Sequence, residues 1–338
     1  MESLGARYRR FVPLVLAVYV LAVAAAFLYF NMRIKVETVA VILFIAALLS
    51  GRGLLFVRDW GVFIVVLLGW QLASGLATDF HFPWHLTEMI SADKLMFFGT
   101  VPAVWLQQHL YHPGVLEPWD VFSGIMYMLH FLVPLVAGFI IWMANRDLFR
   151  KFAVTYVLVA LAGFATYIFY PAVPPWLAAK HLIHIAYGQY QVVGIHHGVV
   201  YLPGVKNLFD VIAGHWYNPY NGSINIGFLH QVHYDQVGAI PSEHAMYPFL
   251  FFLFLRRQFG GIAYLALLYI AGLLFAIMYM GQHYMIDAII GFLYAGAGYA
   301  LVMHAWPAIV ALVQRRRRVR RVETPLLAMS ELEEAGSR

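Results

Sequence analysis

Residues 239–245 read AIPSEHA, and residues 281–287 read GQHYMID. Each stretch lies at the edge of a long apolar run and places a histidine there. In the second stretch Asp287 follows His283 by four residues, so on a helix the two side chains lie on one face, about one turn apart. A carboxylate in that position can hold an imidazole in one tautomer. We therefore expect the rest of the chain to bring His244 to His283 and Asp287.

The composition is that of an integral membrane protein. Of the 338 residues, 62% are hydrophobic and 12% are charged, and the mean hydropathy is +0.72. A soluble domain has roughly 45–50% apolar and about 25% charged residues. The apolar runs are continuous rather than alternating, which favours helices over barrel strands. The chain has no cysteine, which excludes disulfides, thiolate chemistry and Cys-ligated zinc.

The apolar runs predict an all-α polytopic membrane protein with about eight transmembrane helices. The runs cover about 11–30, 37–56, 60–78, 121–143, 152–170, 244–256, 261–280 and 284–306. The second run is interrupted at 50–53, and the sixth is short for a span. Two outer segments, 79–120 and 171–243, are long and rich in aromatic residues. We expect interfacial helices in the first and a functional role for the second.

The basic residues orient these spans. With the N-terminus inside, 17 of the 22 Lys and Arg residues face the cytoplasm, as the positive-inside rule requires. The five on the outer side are Arg33, Lys35, Lys94, Lys180 and Lys206. Both termini are then cytoplasmic, and both motifs arrive at the outer face of what we predict to be the plasma membrane. The basic run 315–321 fits a juxtamembrane tail better than a nucleic-acid patch.

The residue types in the two motifs suit phosphoryl transfer through a covalent intermediate. Pro241 and Ser242 predict a helix start, where Ser can cap and the free amides of the first turn can cradle an anion. One imidazole can then attack phosphorus while a carboxylate stabilises the imidazolium. The second imidazole can protonate the leaving oxygen.

Other interpretations of these residues stay open. A zinc site could draw on a set of His and carboxylate side chains. That set is His230, His233, Asp235, Glu243, His244, His283 and Asp287. His130 lies inside the fourth span with Tyr127, where it could serve function or a helix–helix hydrogen bond. His81, His85, His196 and His197 are interpreted as loop or interfacial residues.

At its two motifs the chain resembles the type 2 phosphatidic acid phosphatase superfamily. The match is to Pro-Ser-x-His at 241–244 and His-x-x-x-Asp at 283–287. More narrowly, it resembles the inositol phosphorylceramide synthase branch, whose second element is Gly-x-His-Tyr-x-x-Asp followed by a helical glycine. Gly281, Tyr284 and Gly291 fit that pattern, and the segment from Tyr170 to Trp176 also resembles the branch. The resemblance covers about 120–306.

The resemblance implies a six-helix phosphatase or phosphotransferase core in the C-terminal two-thirds, with outer interfacial helices beside it. His283 would be the nucleophile that forms a phosphohistidine, and Asp287 would orient it. His244 would be the general acid and then the base. No metal or other cofactor is implied. The branch moves a phosphoinositol-type head group from a phosphatidylinositol-like membrane phospholipid to a lipid alcohol, and this is the function we predict.

Two departures from the superfamily bear on this prediction. Its phosphatases have Ser-Arg upstream of the second histidine and an earlier Lys followed by Arg-Pro. In this chain Ala276 and Ile277 stand where the phosphatases have Ser-Arg. The pattern of Lys followed by Arg-Pro is absent. The usual phosphate-clamping cations are therefore missing. Glu243 also stands where relatives have a small or apolar residue, and it could repel anions, bind inositol hydroxyls or face water.

The remaining site residues are assigned partly from the residues and partly from the resemblance. Lys206, Lys180 and Lys94 are the candidate cations on the outer loops. The predicted substrate-binding residues are Ser242, Lys206, Lys180, Tyr170, Trp176 and Tyr284. The predicted domains are N-terminal membrane helices with an interfacial segment at 1–120, a catalytic membrane core at 121–310 and a basic cytoplasmic tail at 311–338.

Two alternative functions remain. The same three residues could hydrolyse a lipid or polyprenyl phosphate, with water in place of the acceptor alcohol. A non-enzymatic lipid-binding or transport protein is the other alternative. It predicts ionisable or broken positions at mid-bilayer along several spans, which are scarce in this sequence.

Overall fold

The computed structural model describes 36–73, 80, 82–179, 182–185, 189–192, 195–196, 199–200, 202, 204–208 and 237–306. The helices of this part are α1 Val36–Leu49, α2 Gly53–Ala73, α3 Thr87–Met96, α4 Pro102–Leu110, α5 Pro118–Ala144, α6 Arg146–Phe169, α7 Pro175–Ala178, α8 Glu243–Phe259, α9 Leu265–Tyr279 and α10 Met285–Ala300. A 3-10 turn, Gly260–Tyr264, joins α8 to α9, and a π-helical turn, Leu301–Ala305, extends α10. The predicted first span, 11–30, lies outside the described residues.

Two short strand pairs lie in the long outer segment, where the sequence analysis predicted no strands. Strand β1, Leu182–Ile185, pairs antiparallel with β2, Gln189–Val192. Strand β3, Ile195–His196, pairs antiparallel with β4, Val199–Val200. Apart from these four strands, the regular structure of the described part is helical.

Apolar helices confirm that this is a membrane protein. Within the described residues, three helical runs are long and apolar enough to cross a bilayer, namely Arg146–Phe169, Glu243–Tyr279 and Met285–Ala305. The bent helix α5 makes a possible fourth. The prediction of eight spans stays a prediction, because 11–30 is not described and α1, with 14 residues, is short for a span.

The run Glu243–Tyr279 is two helices rather than one. The rings of Phe251 and Tyr269 lie 6.2 Å apart, whereas 18 residues of straight helix would separate them by about 27 Å. The chain therefore turns back on itself, and Gly260 permits this with φ +66°. Helices α8 and α9 have 17 and 15 residues, or about 25 and 22 Å, against about 30 Å of hydrocarbon.

Helix α5 is bent by 50° between Pro118–Tyr127 and Leu132–Ala144. Pro134 lies inside the helix and has no N–H to donate to the carbonyl of His130, four residues earlier. That missing hydrogen bond, with the clash of the proline ring, accounts for the bend. The bend therefore lies at the level of His130, which faces the candidate site.

The first two helices meet at a different turn from the predicted one. Helix α1 ends at Leu49, Gly51 has φ +73°, and α2 begins at Gly53. The predicted spans 37–56 and 60–78 placed the break between them at 57–59, and that position is wrong. The glycine turn at 50–52, which we predicted to interrupt the second span, is itself the connection between α1 and α2. An aromatic core then holds α2 on the bundle, with Trp60 stacked on Phe149 at 4.6 Å.

Candidate active site

The first histidine sits at the start of α8. Ser242 occupies the N-cap position, as predicted, and its backbone N–H donates to the carbonyl of Asp287 at 3.0 Å. Its hydroxyl is fully buried and makes no capping bond, nor any other hydrogen bond within the described part of the chain. Tyr167 fixes the approach to this turn by donating its hydroxyl to the Pro241 carbonyl at 2.7 Å. The hydroxyl of Ser242 is thus buried at the helix start without a partner among the described residues, which is unusual for a buried polar group.

The second histidine lies in a tight turn between α9 and α10. Gly281 opens the turn with φ +72°, and a Cβ there would meet the Lys206 carbonyl oxygen at 2.8 Å. Glycine is needed for both reasons. Asp287 accepts the Tyr284 backbone N–H at 2.8 Å, which caps α10.

A second glycine lets the two halves of the site meet. A Cβ on Gly291 would lie 2.5 Å from the Ser242 carbonyl oxygen and 3.2 Å from the Met246 nitrogen. Helix α10 therefore packs backbone to backbone against the first turn of α8. This close approach is the physical reason for a helical glycine one turn after Asp287.

The two imidazoles are in direct contact. His244 Nδ1 lies 3.1 Å from His283 Nε2. The other nitrogen of His283, Nδ1, lies 3.0 Å from the Ala239 carbonyl oxygen and 3.4 Å from Asp287 Oδ2. A carbonyl and a carboxylate can only accept, so Nδ1 carries the proton and Nε2 presents its lone pair to His244. This is the tautomer that a nucleophilic histidine requires.

The carbonyl of Ala239 is held by backbone pairing. Ala172 N–H donates to the Val237 carbonyl at 2.7 Å, and Ala239 N–H donates back to the Ala172 carbonyl at 3.1 Å. On its other side, Ala172 bridges to His85. Three extended segments thus lie side by side and fix the acceptor that sets the tautomer of His283.

The side chain of His244 packs against helix α5. The His244 ring lies 4.6 Å from the Tyr127 ring and 4.2 Å from the His130 ring, centroid to centroid. Tyr127 and His130 are both buried and are three residues apart on one helix face. His130 therefore belongs to the surroundings of the site.

The side chain of Glu243 lies against a different helix from that of His244. A Cβ on Gly163 of α6 would lie 3.8 Å from Glu243 Oε1. Glu243 thus faces α6, whereas His244 packs on α5.

Several predicted substrate-binding residues lie around the turn. Trp176 donates its backbone N–H to the Gly281 carbonyl at 2.9 Å, and Tyr284 is buried at the N-cap of α10. Lys206 contacts the turn through its backbone, but its ammonium lies over the Tyr111 ring, 5.2 Å from the centroid. Lys180 lies outside the described residues. The substrate-binding roles of all four residues stay predictions.

Tyr170 lies near the site, beside His85 and within electrostatic reach of Asp287. Its ring stacks on His85 at 3.7 Å, and His85 Nδ1 is 2.9 Å from Glu88 Oε1. That hydrogen bond is the largest cause of a lowered pKa at Glu88. Burial raises the pKa of Tyr170, and the nearby carboxylates of Glu88 and Asp287 add to the effect.

Two residues that support the turn were missed by the sequence analysis. Asp93 of α3 accepts the N–H groups of Met285 and Ile286. Gln107 of α4 donates to the carbonyls of Lys206 and Tyr279, each at 2.9 Å. The spacing of Asp93 from the buried apolar residues Met89 and Ile90 was a usable signal, since positions i+3 and i+4 share a helix face.

The described residues offer no metal centre. No group of three or more His, Asp or Glu side chains among them is arranged to hold a metal ion. Three of the ligands considered for zinc, His230, His233 and Asp235, lie outside the described residues.

Comparison with known proteins bears on this site. The family model described as the PAP2 superfamily matches residues 87–301. The chain is also 28% identical over 176 residues to a phosphoinositol dihydroceramide synthase of Bacteroides thetaiotaomicron, an alignment covering 51% of this chain and 52% of the relative. The chain therefore spans about half the length of this curated relative. No solved structure matches the chain.

Proposed function

The chain belongs to the PAP2 superfamily, and from that premise we propose that it is a membrane lipid phosphotransferase. It would move a phosphoinositol-type head group from a phospholipid to a lipid alcohol through a phosphohistidine-type intermediate. The observation that carries the proposal is the imidazole pair, in which the proton on Nδ1 of His283 leaves Nε2 as a nucleophile beside His244. The resemblance to the inositol phosphorylceramide synthase branch, consistent with the named relative, supports the choice of head group.

In the first step, His283 Nε2 attacks the phosphorus of the donor lipid. A nitrogen–phosphorus bond forms and the bond from phosphorus to the diacylglycerol oxygen breaks. His244 supplies the proton for that oxygen. Asp287 and the Ala239 carbonyl stabilise the positive charge that develops on the His283 ring.

In the second step, the acceptor alcohol attacks the same phosphorus. His244 takes the proton of the alcohol, the nitrogen–phosphorus bond breaks, and His283 is restored. The product is a new phosphodiester lipid, so no water is consumed. The buried hydroxyl of Ser242, at the start of α8, is placed to donate to a phosphoryl oxygen.

The His244 and His283 rings must move apart before His283 can attack phosphorus. Reacting atoms approach to about 3–3.5 Å before bond formation, and His244 Nδ1 already lies 3.1 Å from the attacking nitrogen. A phosphorus atom in line with the Nε2 lone pair of His283 would occupy the position of the His244 ring. The donor therefore displaces the His244 ring when it binds, and His244 meets the leaving oxygen instead of His283.

The surface beside the turn suits a lipid substrate. An apolar groove of about 590 Å³ runs along α9. Met278 and Met285, which flank the His283 turn in the sequence, both line it, and Trp105 of α4 lies on its other wall. The fully exposed Phe98 precedes α4. A hydrocarbon chain can occupy such a groove while its head group reaches His283.

The proposal is tested by exchange between two lipids. The purified protein in lipid nanodiscs is given phosphatidylinositol labelled in the head group, with ceramide or diacylglycerol as the alcohol. We expect a new labelled lipid, its loss in His283→Ala, and its retention in His304→Ala, which removes an exposed histidine from the inner end of the last helix. Release of free phosphate or inositol phosphate without a new lipid would assign hydrolysis instead. Absence of any turnover would overturn the proposal.

A further inference from the structure

Asp93 is a fully buried carboxylate that comes from outside the two catalytic motifs. It lies on α3, with 0% of its surface exposed, among the apolar side chains that pack this helix against the start of α10. A carboxylate is placed in such surroundings only where hydrogen bonds offset the loss of water. Burial raises the pKa of Asp93 to about 6, with the charge of Asp287 adding to the effect.

The two oxygens of Asp93 each hold one amide of the first turn of α10. Met285 N–H donates to Oδ2 at 3.1 Å, and Ile286 N–H donates to Oδ1 at 3.1 Å. These amides have no partner inside their own helix, and the helix dipole favours a negative charge beside them. Asp93 therefore caps α10 from a different element, almost 200 residues earlier in the chain.

Asp287 lies on the same turn and could serve the same amides. Its Oδ2 accepts the Tyr284 N–H at 2.8 Å and faces His283 Nδ1 at 3.4 Å. An acidic residue at the third position of a helix is suited to capping its own N-terminus. The Oδ1 atom of Asp287 has no hydrogen-bond partner in the described part of the chain. If the amides of Met285 and Ile286 lost Asp93, they would draw the Asp287 carboxylate toward them through Oδ1 and turn Oδ2 away from His283.

We propose that Asp93 is a positioning residue for the transfer reaction, which keeps Asp287 on His283 by satisfying the first-turn amides of α10. This inference rests on the proposed function, because it assigns Asp287 to the nucleophilic histidine. It has a second consequence. With the N-terminus of α10 occupied by Asp93, the donor phosphate is directed to the start of α8, where Ser242 and His244 lie.

The test is a double-mutant cycle on the first chemical step. Asp93→Asn keeps the shape of the side chain but replaces one acceptor with an N–H donor that opposes an amide. We expect this variant to form the labelled His283 intermediate about 10–100-fold more slowly, with KM for the donor lipid changed less than twofold. In an Asp287→Asn background, Asp93→Asn should have little further effect, because its influence acts through Asp287.

The matched control is Asn145→Ala. Asn145 caps α6 at the opposite end of the bundle by accepting the Leu148 N–H at 3.0 Å, so its loss removes a cap far from the site. This variant should lower the thermal midpoint without slowing the intermediate. If Asp93→Asn does not yield folded protein, Asp93→Ser, which keeps one acceptor, takes its place in the cycle.

The outcomes separate the two proposals. If the unmodified protein forms no labelled intermediate while lipid exchange proceeds, the covalent mechanism fails, and the role of Asp93 in positioning Asp287 on a nucleophile is overturned with it. If the intermediate forms and the effects of Asp93→Asn and Asp287→Asn multiply, Asp93 is only a helix cap and the inference is overturned. An unchanged rate in Asp93→Asn would overturn it equally.

Discussion

At the residue scale, the proposed chemistry depends on which nitrogen of His283 carries the proton. Two acceptors, the Ala239 carbonyl and the Asp287 carboxylate, both face Nδ1. This shared arrangement differs from a triad in which the carboxylate alone sets the tautomer. The carbonyl fixes the proton even when the carboxylate is changed, and the carboxylate supplies the charge that stabilises the imidazolium.

Replacing Asp287 with Asn should therefore slow transfer without abolishing it. Where a carboxylate is the sole partner of a catalytic histidine, the same change costs about 10⁴-fold in kcat. Loss of the partner that orients a metal-bound histidine, beside which other contacts remain, costs about 10–100-fold. We expect Asp287→Asn to lower kcat by about 100-fold, because the Ala239 carbonyl still accepts the Nδ1 proton. Steady-state exchange rates at saturating donor measure this, and an unchanged kcat would remove Asp287 from the mechanism.

The sequence predicted the three side chains of the site but not the carbonyl. A histidine and an aspartate four residues apart share a helix face by spacing alone. The direction of the Ala239 carbonyl depends on pairing between 171–173 and 237–239, which no local pattern reveals. The sequence also could not predict that the Ser242 hydroxyl makes no capping hydrogen bond, because the side chain of an N-cap serine usually accepts a hydrogen bond from its own helix.

At the element scale, the site is the junction of two helix starts. Gly291 brings α10 onto the first turn of α8, and the Ser242 N–H joins them through the Asp287 carbonyl. The sequence predicted both helix starts, because Pro241 and Ser242 mark the first and the beginning of the apolar run 284–306 marks the second. It could not predict how closely they approach, since a helical glycine signals small size but not the identity of its neighbour.

The short helices α3 and α4 contact the candidate site more closely than the sequence predicted. The sequence set residues 1–120 apart from the predicted catalytic core, yet Asp93 and Gln107 hydrogen-bond the turn that holds His283 and its neighbours. The family match also begins at residue 87, the first residue of α3. We propose that the catalytic unit begins there. The spacing of Asp93 from Met89 and Ile90 places it on the buried face of α3, but no local pattern shows which distant amides it meets.

At the scale of the whole molecule, the orientation in the membrane remains a prediction from charge. The described fold is compatible with it, since α8 and α9 form a hairpin whose turn lies at the end away from His244 and His283. That turn follows Arg256 and Arg257, as the positive-inside rule expects of a cytoplasmic turn. The lack of cysteine makes the orientation directly testable.

Single cysteines at the two ends should react differently in intact cells. Lys206→Cys places a thiol at an exposed position beside the His283 turn, and Arg257→Cys places one on the exposed last turn of α8. A membrane-impermeant maleimide should label the first in intact cells and the second only after permeabilisation. The opposite pattern would place the site on the cytoplasmic face and would contradict the charge-based topology.

The central claim is that the head group passes through His283, and chemical trapping tests it most directly. The protein is mixed with phosphatidylinositol labelled separately in phosphorus and in inositol, quenched in base within one turnover, and digested. We expect both labels on the peptide containing His283, in an acid-labile linkage. The label should disappear when a lipid alcohol is added and should be absent from His283→Ala but present in His304→Ala. Label that persists in His283→Ala, or a new lipid formed with no labelled protein at any time, would contradict it.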